Sequence, residues 1–125
     1  MEILVPISLG ELYDKISILE LKLQFINDEE KRINLTNELK KLQEISIKYP
    51  IDEKLFDRLK NINLEIWYTE DKIRLKEKNQ DFRFDFIIYA RRIYQRNDKR
   101  SKIKREINLK YGSDIIEEKS YEKYD

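Results

Sequence analysis

Residues 8–26 read "SLGELYDKISILELKLQFI". Ser8 and Glu11 stand at the Ser-x-x-Glu spacing of a capping box, a helix-start signature. Beyond them Leu12, Ile16, Leu19, Leu23 and Ile26 follow at spacings of 4, 3, 4 and 3, one face of an α-helix. Tyr13, Ile18, Leu21 and Phe25 widen that face, so the helix is expected to be buried on more than one side. The run before it, "ILVPI" at 3–7, reads as extended, because Pro6 disfavours helix at Val5.

The same periodicity continues outward. "NDEEKR" separates helix one from helix two, with Asn27 or Asp28 as cap. Leu35, Leu39, Leu42 and Ile45 mark the inner face of helix two, and Tyr49-Pro50 ends it. Asp52 caps helix three, whose stripe is Leu55, Leu59, Ile62, Ile66 and Ile73. "KNQD" at 78–81 breaks it, and Asp81 is the expected cap of the last helix, which stops at Tyr111-Gly112. The sequence therefore predicts one all-α domain over 1–125, with helices at 9–27, 29–48, 53–78 and 82–111 and a tail at 113–125. Short connections imply a four-helix antiparallel bundle. A last helix of about 45 Å overshoots a second helix of about 30 Å at 1.5 Å per residue, so a partner subunit or the folded-back tail is expected to cover the excess. Ala90, the only alanine, suggests close helix approach on the inner face of the last helix.

Composition narrows the chemistry. Charged residues make up 41% of the chain against two glycines and two prolines, which suits long helices with wet outer faces. There is no cysteine and no histidine, so disulfides, thiolate metal sites, thiol nucleophiles and imidazole acid–base chemistry are excluded. No metal site and no cofactor is expected. A net charge of +1 selects neither nucleic acid nor membrane. No run approaches the ~20 apolar residues of a spanning helix. The N-terminus lacks the basic start of a signal peptide, so a cytoplasmic location is expected.

Residues 91–108, "RRIYQRNDKRSKIKREIN", break the oily pattern. Asn97, Arg100, Lys104 and Asn108 occupy the stripe that Phe86, Ala90 and Ile93 begin. Such groups beside a packed face cost several kcal/mol unless they are paired. They face water, meet acids of the same chain, or hold an anionic ligand. On helix three, Asn63, Glu70, Arg74 and Glu77 follow at 7, 4 and 3, with Trp67 among them. An exposed Glu70–Arg74 pair is the plain reading. The functional one is a carboxylate and a cation joining the layer of Asn97 and Arg100.

Residues 91–105 carry eight basic residues and one acid, whereas the tail carries five acids and two lysines. Opposite charge so near in sequence predicts docking of the tail through Glu117 and Glu118, with Tyr121 as an apolar anchor. Basic residues all round the helix, next to an acidic tail, disfavour nucleic acid.

Three stretches, "VPISLGELYDKISILELKL" at 5–23, "EIWYTEDKIR" at 65–74 and "YQRNDKRSKIKREINLKYGSDIIEEKSY" at 94–121, resemble a small bacterial and phage family that carries only a domain-of-unknown-function label. The resemblance implies a polar signature at Asn97, Asp98, Arg100, Lys104, Arg105 and Asn108 and in the Glu-Glu-Lys-Ser-Tyr of 117–121, and a link to glycan synthesis as context. It implies no activity.

Two functions fit these features. The first is a self-associating helical interaction module, a homo-oligomer or a partner for another protein. The second is a small anion-binding enzyme or sensor for a phosphate or carboxylate such as a nucleotide sugar. There Asn97, Arg100 and Lys104 would hold the anion, Glu70 would be the acid–base or orienting group, Trp67 or Tyr94 would form a stacking wall, and Asn108 and Arg74 would complete the ligand-binding set.

Overall fold

The computed structural model describes residues 1–125 and contains four helices and no strand: α1 (Leu9–Phe25), α2 (Glu29–Ser46), α3 (Glu53–Lys78) and α4 (Phe84–Lys110). Three helix starts are side-chain capped. Ser8 Oγ accepts from the Glu11 N–H at 3.1 Å, Asp28 from Lys31 at 2.9 Å, and Asp52 from Lys54 at 2.8 Å. Each satisfies one of the orphan donors of a first turn.

The fourth start corrects the sequence reading. Asp81 does not cap α4, whose N-cap is Arg83 with no side-chain cap bond. The Asp81 carboxylate instead takes the Arg83 guanidinium at 2.9 and 3.0 Å and the Lys76 ammonium at 3.2 Å. Those bonds, Arg83 first, hold its carboxyl well below the usual carboxylate range. The turn between α3 and α4 passes through Gln80 at φ 53° and an extended Arg83, so α4 begins at Phe84 rather than at residue 82.

Other helix ends also fall short of the expected ones. Ile26 is extended and closes α1 at Phe25, and tight turn bonds from Lys48 to Ile45 and Tyr49 to Ser46 close α2. At the end of α4, Gly112 takes φ +66°, and the Ser113 N–H reaches back to the Asn108 carbonyl at 2.9 Å. That is the long bond of a Schellman cap. Gly112→Ala is expected to cost about 1 kcal/mol, because a Cβ is disfavoured in this left-handed conformation. A thermal melt should show a midpoint lower by about 3–5 °C.

Packing follows from which faces are apolar. Tyr13 meets Phe56 edge-on and Phe25 stacks on Trp67, so α1 and α3 run parallel. Arg58 with Glu106 and Glu65 with Arg96 show α4 running antiparallel to α3. α2 folds back along α1 and packs on that helix alone. It has no buried residue: Leu35, Leu39 and Leu42 are half-buried and Ile45 is exposed. Polar ties hold it there. Tyr13 OH donates to the Tyr49 carbonyl at 2.6 Å, and the Arg32 guanidinium donates to the carbonyls of Leu23 and Ile26.

The core lies where α1, α3 and α4 meet: Leu12, Ile16, Leu19 and Leu21, then Leu55, Leu59 and Ile62, then Ile103 and Ile107. All of these come from α1, the first half of α3 and the second half of α4. The end of α1 reaches only to Trp67 and Tyr68. At 1.5 Å per residue α3 and α4 are each about 40 Å long and α1 about 26 Å, so the α3–α4 hairpin projects past the core. The tail covers part of the opposite end, running back along α4. No helix is long and apolar enough to cross a membrane.

Candidate functional site

A polar layer lies inside the three-helix junction. On α1, Gly10, Asp14, Ser17 and Leu21 are all buried and follow at spacings of 4, 3 and 4. They form a second inner stripe beside the oily one. α3 supplies Asn63, and α4 supplies Asn97, Arg100, Lys104 and Asn108.

Lys104 is the hub. Its side chain is only 9% exposed, and its Nζ meets Glu11 at 2.6 Å, Glu117 at 3.3 Å and Asp14 at 3.8 Å. Burial alone would lower the ammonium pKa. The hydrogen bond to Glu11 and the charges of Asp14, Glu11 and Glu117 outweigh it, so the net shift is upward and Lys104 stays charged.

Asn63 joins that hub to Arg100. Its Nδ2 donates to Asp14 Oδ1 and to Ser17 Oγ, both at 2.8 Å, and its Oδ1 accepts from Arg100 Nη1 at 3.2 Å. The amide is therefore oriented by chemistry: donors toward the acid, acceptor toward the guanidinium. Arg100 Nη2 donates to Asn97 Oδ1 at 2.6 Å, and Asn97 Nδ2 donates to the Ile93 carbonyl at 3.0 Å. Arg100 makes no ion pair with any carboxylate of the chain.

Asn108 faces the start of α1. Its Oδ1 accepts from the Gly10 N–H at 2.7 Å, which leaves a buried Nδ2 with no hydrogen-bond partner. Ser113 Oγ takes the neighbouring Leu9 N–H at 3.1 Å.

The tail lies along the outer side of the same helix. Glu117 reaches Lys104, and Glu118 reaches Arg105 at 3.0 Å. Tyr121 is 72% exposed, and Tyr124 makes the aromatic contact, edge-on to Tyr94 with centroids 5.1 Å apart. Tyr124 OH donates to Asp98 Oδ2 at 2.5 Å. That bond pushes the Tyr124 phenol up to about 12. A raised acid pKa means that the neutral phenol is the form the fold favours. Its contribution is complete below the unfolded value of about 10 and fades as pH rises through the folded one. An absorbance titration at 295 nm should show a phenol ionising near pH 12, absent in Tyr124→Phe.

The α3 candidates fall elsewhere. Glu70 and Arg74 form an exposed pair at 3.3 Å, with Arg74 77% exposed. Trp67 stacks on Phe25 at 5.3 Å. Glu70, Trp67, Asn63 and Arg100 do line a common cleft of about 250 Å³ between α1, α3 and α4. On the other side of α4, Tyr94, Asn97, Arg100 and Lys104 line a groove of about 660 Å³ under the tail. Arg100 thus borders both openings.

Sequence periodicity does not single out Asp14 or Ser17, and Glu11 reads there only as part of a cap. The available signal is the 4, 3, 4 stripe of Gly10, Asp14, Ser17 and Leu21, in which the first three are small or polar residues at inward positions of a helix otherwise buried on several sides. No group of three His, Cys, Asp or Glu side chains converges as metal ligands would.

A family model described as "Family of unknown function (DUF6165)" matches residues 3–124. This agrees with the resemblance carried by the two ends and the tryptophan segment. No curated protein and no solved structure matches the chain.

Proposed function

We propose that this chain, which belongs to the family of unknown function DUF6165, is a helical assembly module whose α3–α4 hairpin pairs with a second copy of itself. The observation that carries the reading is the apolar stripe left open on the projecting part of α4. Phe84 is 71% exposed and Ile87 51%. Their spacing of three puts them on one face, continued by the exposed Arg91. Beside them Leu75 and Phe82 are also more than half exposed. Only 17 of 125 residues are buried, so the isolated chain has a thin core for its length.

Charge favours a second copy over an unrelated partner. Asp85 lies at the start of α4 and is held only by Lys76 at 3.8 Å. Arg91 and Arg92 make no ion pair within the chain, and Arg92 rests over the Tyr89 ring at 5.9 Å. An antiparallel crossing of two α4 helices near Ile88 sets Asp85 of each copy against Arg91 and Arg92 of the other. A two-fold contact of this kind is self-complementary and closes.

Because the chain has no cysteine, one introduced thiol reports contact between copies. Ile87→Cys is expected to form a disulfide dimer rapidly under mild oxidation, whereas Lys41→Cys on the outer face of α2 stays monomeric. Equal cross-linking at both positions, or none at position 87, overturns the reading.

A further inference from the structure

We infer that the groove between α4 and the C-terminal tail is a binding site for a phosphate ester of a ring-bearing small molecule, with Arg100 as the anchor. The inference is independent of the pairing of hairpins. Two cavities run on from one another along α4. One of about 220 Å³ is lined by polar residues only: the Lys104–Glu117 and Arg105–Glu118 pairs, Ser101, Asn108 and Lys119. The larger, about 660 Å³, shares Ser101, Lys104 and Lys119 with it and adds Arg100 and three tyrosines, Tyr94, Tyr121 and Tyr124.

The donors in this groove divide into two sets. Lys104 and Arg105 are committed to Glu117 and Glu118. Arg100 and Lys119 are not committed to any acid. Arg100 uses two of the five N–H donors of a guanidinium, and both bonds go to neutral amide oxygens. Those bonds to Asn63 and Asn97 fix the plane of the guanidinium and leave its charge unneutralised. Lys119 rests only over the Tyr121 ring at 5.9 Å. The Asn108 Nδ2, buried and without a partner, belongs to a residue lining the smaller cavity. Two free cations match a phosphate monoester dianion, and a guanidinium suits its oxygens better than an ammonium does.

The ring follows from the walls. Tyr94, Tyr121 and Tyr124 give the larger cavity flat apolar faces with polar tips, suited to a base or a sugar. The acids of the larger cavity are Asp98, which is held by Tyr124, and Glu122. They suit ring hydroxyls or amino groups rather than the phosphate. The tail forms one wall, so a ligand is expected to fasten it to α4.

Isothermal titration of the full chain with adenosine 5′-monophosphate, inorganic phosphate and adenosine tests this. The monophosphate is expected to bind more tightly than phosphate, and adenosine not to bind. Arg100→Gln should weaken the monophosphate about tenfold or more, the loss of a charge-assisted contact. Lys119→Gln, on the exposed tail and outside the core, should weaken it about threefold or more by the same loss of a cation. Lys41→Gln, on the outer face of α2 and outside both cavities, should leave it unchanged. Binding of none of the three, or binding indifferent to both Arg100→Gln and Lys119→Gln, overturns the inference. Should Arg100→Gln fail to fold, the Lys119→Gln arm decides it.

Discussion

Lys104→Met is expected to destabilise the fold by about 3–5 kcal/mol at neutral pH, the usual cost of removing one partner from a buried ion cluster. The three acids around Lys104 do not suffer equally. Glu11 and Glu117 have side chains 30% and 43% exposed and can turn to water. Asp14 is 7% exposed and cannot, so it keeps a buried charge with Asn63 as its only side-chain donor. Asp14→Asn in the Lys104→Met background should therefore restore part of the loss, and a double-mutant cycle in urea reads the coupling. The pH dependence has a definite sign. The ammonium pKa is raised in the folded state, so its contribution is complete below the unfolded lysine value of about 10.4 and is lost as pH rises through the folded one. The wild-type chain should lose this increment only in strong alkali, and Lys104→Met should lose none there.

Gly10→Ala is expected to cost about 2–4 kcal/mol, although alanine is the better helix former. A Cβ at position 10 would stand 2.5 Å from the Lys104 carbonyl oxygen and 3.0 Å from Asn108 Oδ1. The first is α4 backbone, which cannot step aside, so α1 must retreat. Overpacking of this kind costs about 1–3 kcal/mol. Retreat also lengthens the Gly10 N–H bond to Asn108, whose amide would then be buried with neither end satisfied, a further loss of about 1–3 kcal/mol. The helix-propensity gain of about 1 kcal/mol is smaller than either loss at its upper end. Equilibrium unfolding by circular dichroism measures the sum. An Asn108→Ala background should reduce the penalty, because the side chain nearest the new methyl is gone.

Both effects arise from contacts the sequence holds in a form difficult to read. The four helices are legible because 3.6-residue periodicity and the caps at Ser8, Asp28 and Asp52 are local. The sequence places the start of α4 two residues early because Asp81 has the right type for a cap. Its carboxylate finds stronger partners in Arg83 and Lys76, a choice set by the turn through Gln80. The inward position of Asn97, Arg100, Lys104 and Asn108 can be read from their register with Ile93. Glu117 as a partner of Lys104 can be read too, because the acidic tail follows close in sequence; Glu11 and Asp14 cannot, since they lie some 90 residues away and which acid meets which base depends on how α1 is rotated. Asp14 was masked by its neighbours: in a helix apolar on several sides, one acid two residues from Leu12 reads as a gap in the stripe. The close approach at Gly10 had a local sign only in the glycine itself, early in a helix where most residues serve better. The unequal packing of α2 had a faint sign as well, since its stripe of Leu35, Leu39, Leu42 and Ile45 is a single narrow line among charges.

Pairing of the projecting α3–α4 hairpin with a second copy is read by light scattering on the eluting chain over a range of concentrations. The expected result is a mass of twice the 15.4 kDa chain, falling to that of one chain in Phe84→Glu with its helical content unchanged. A wild-type mass of one chain at every concentration would contradict it.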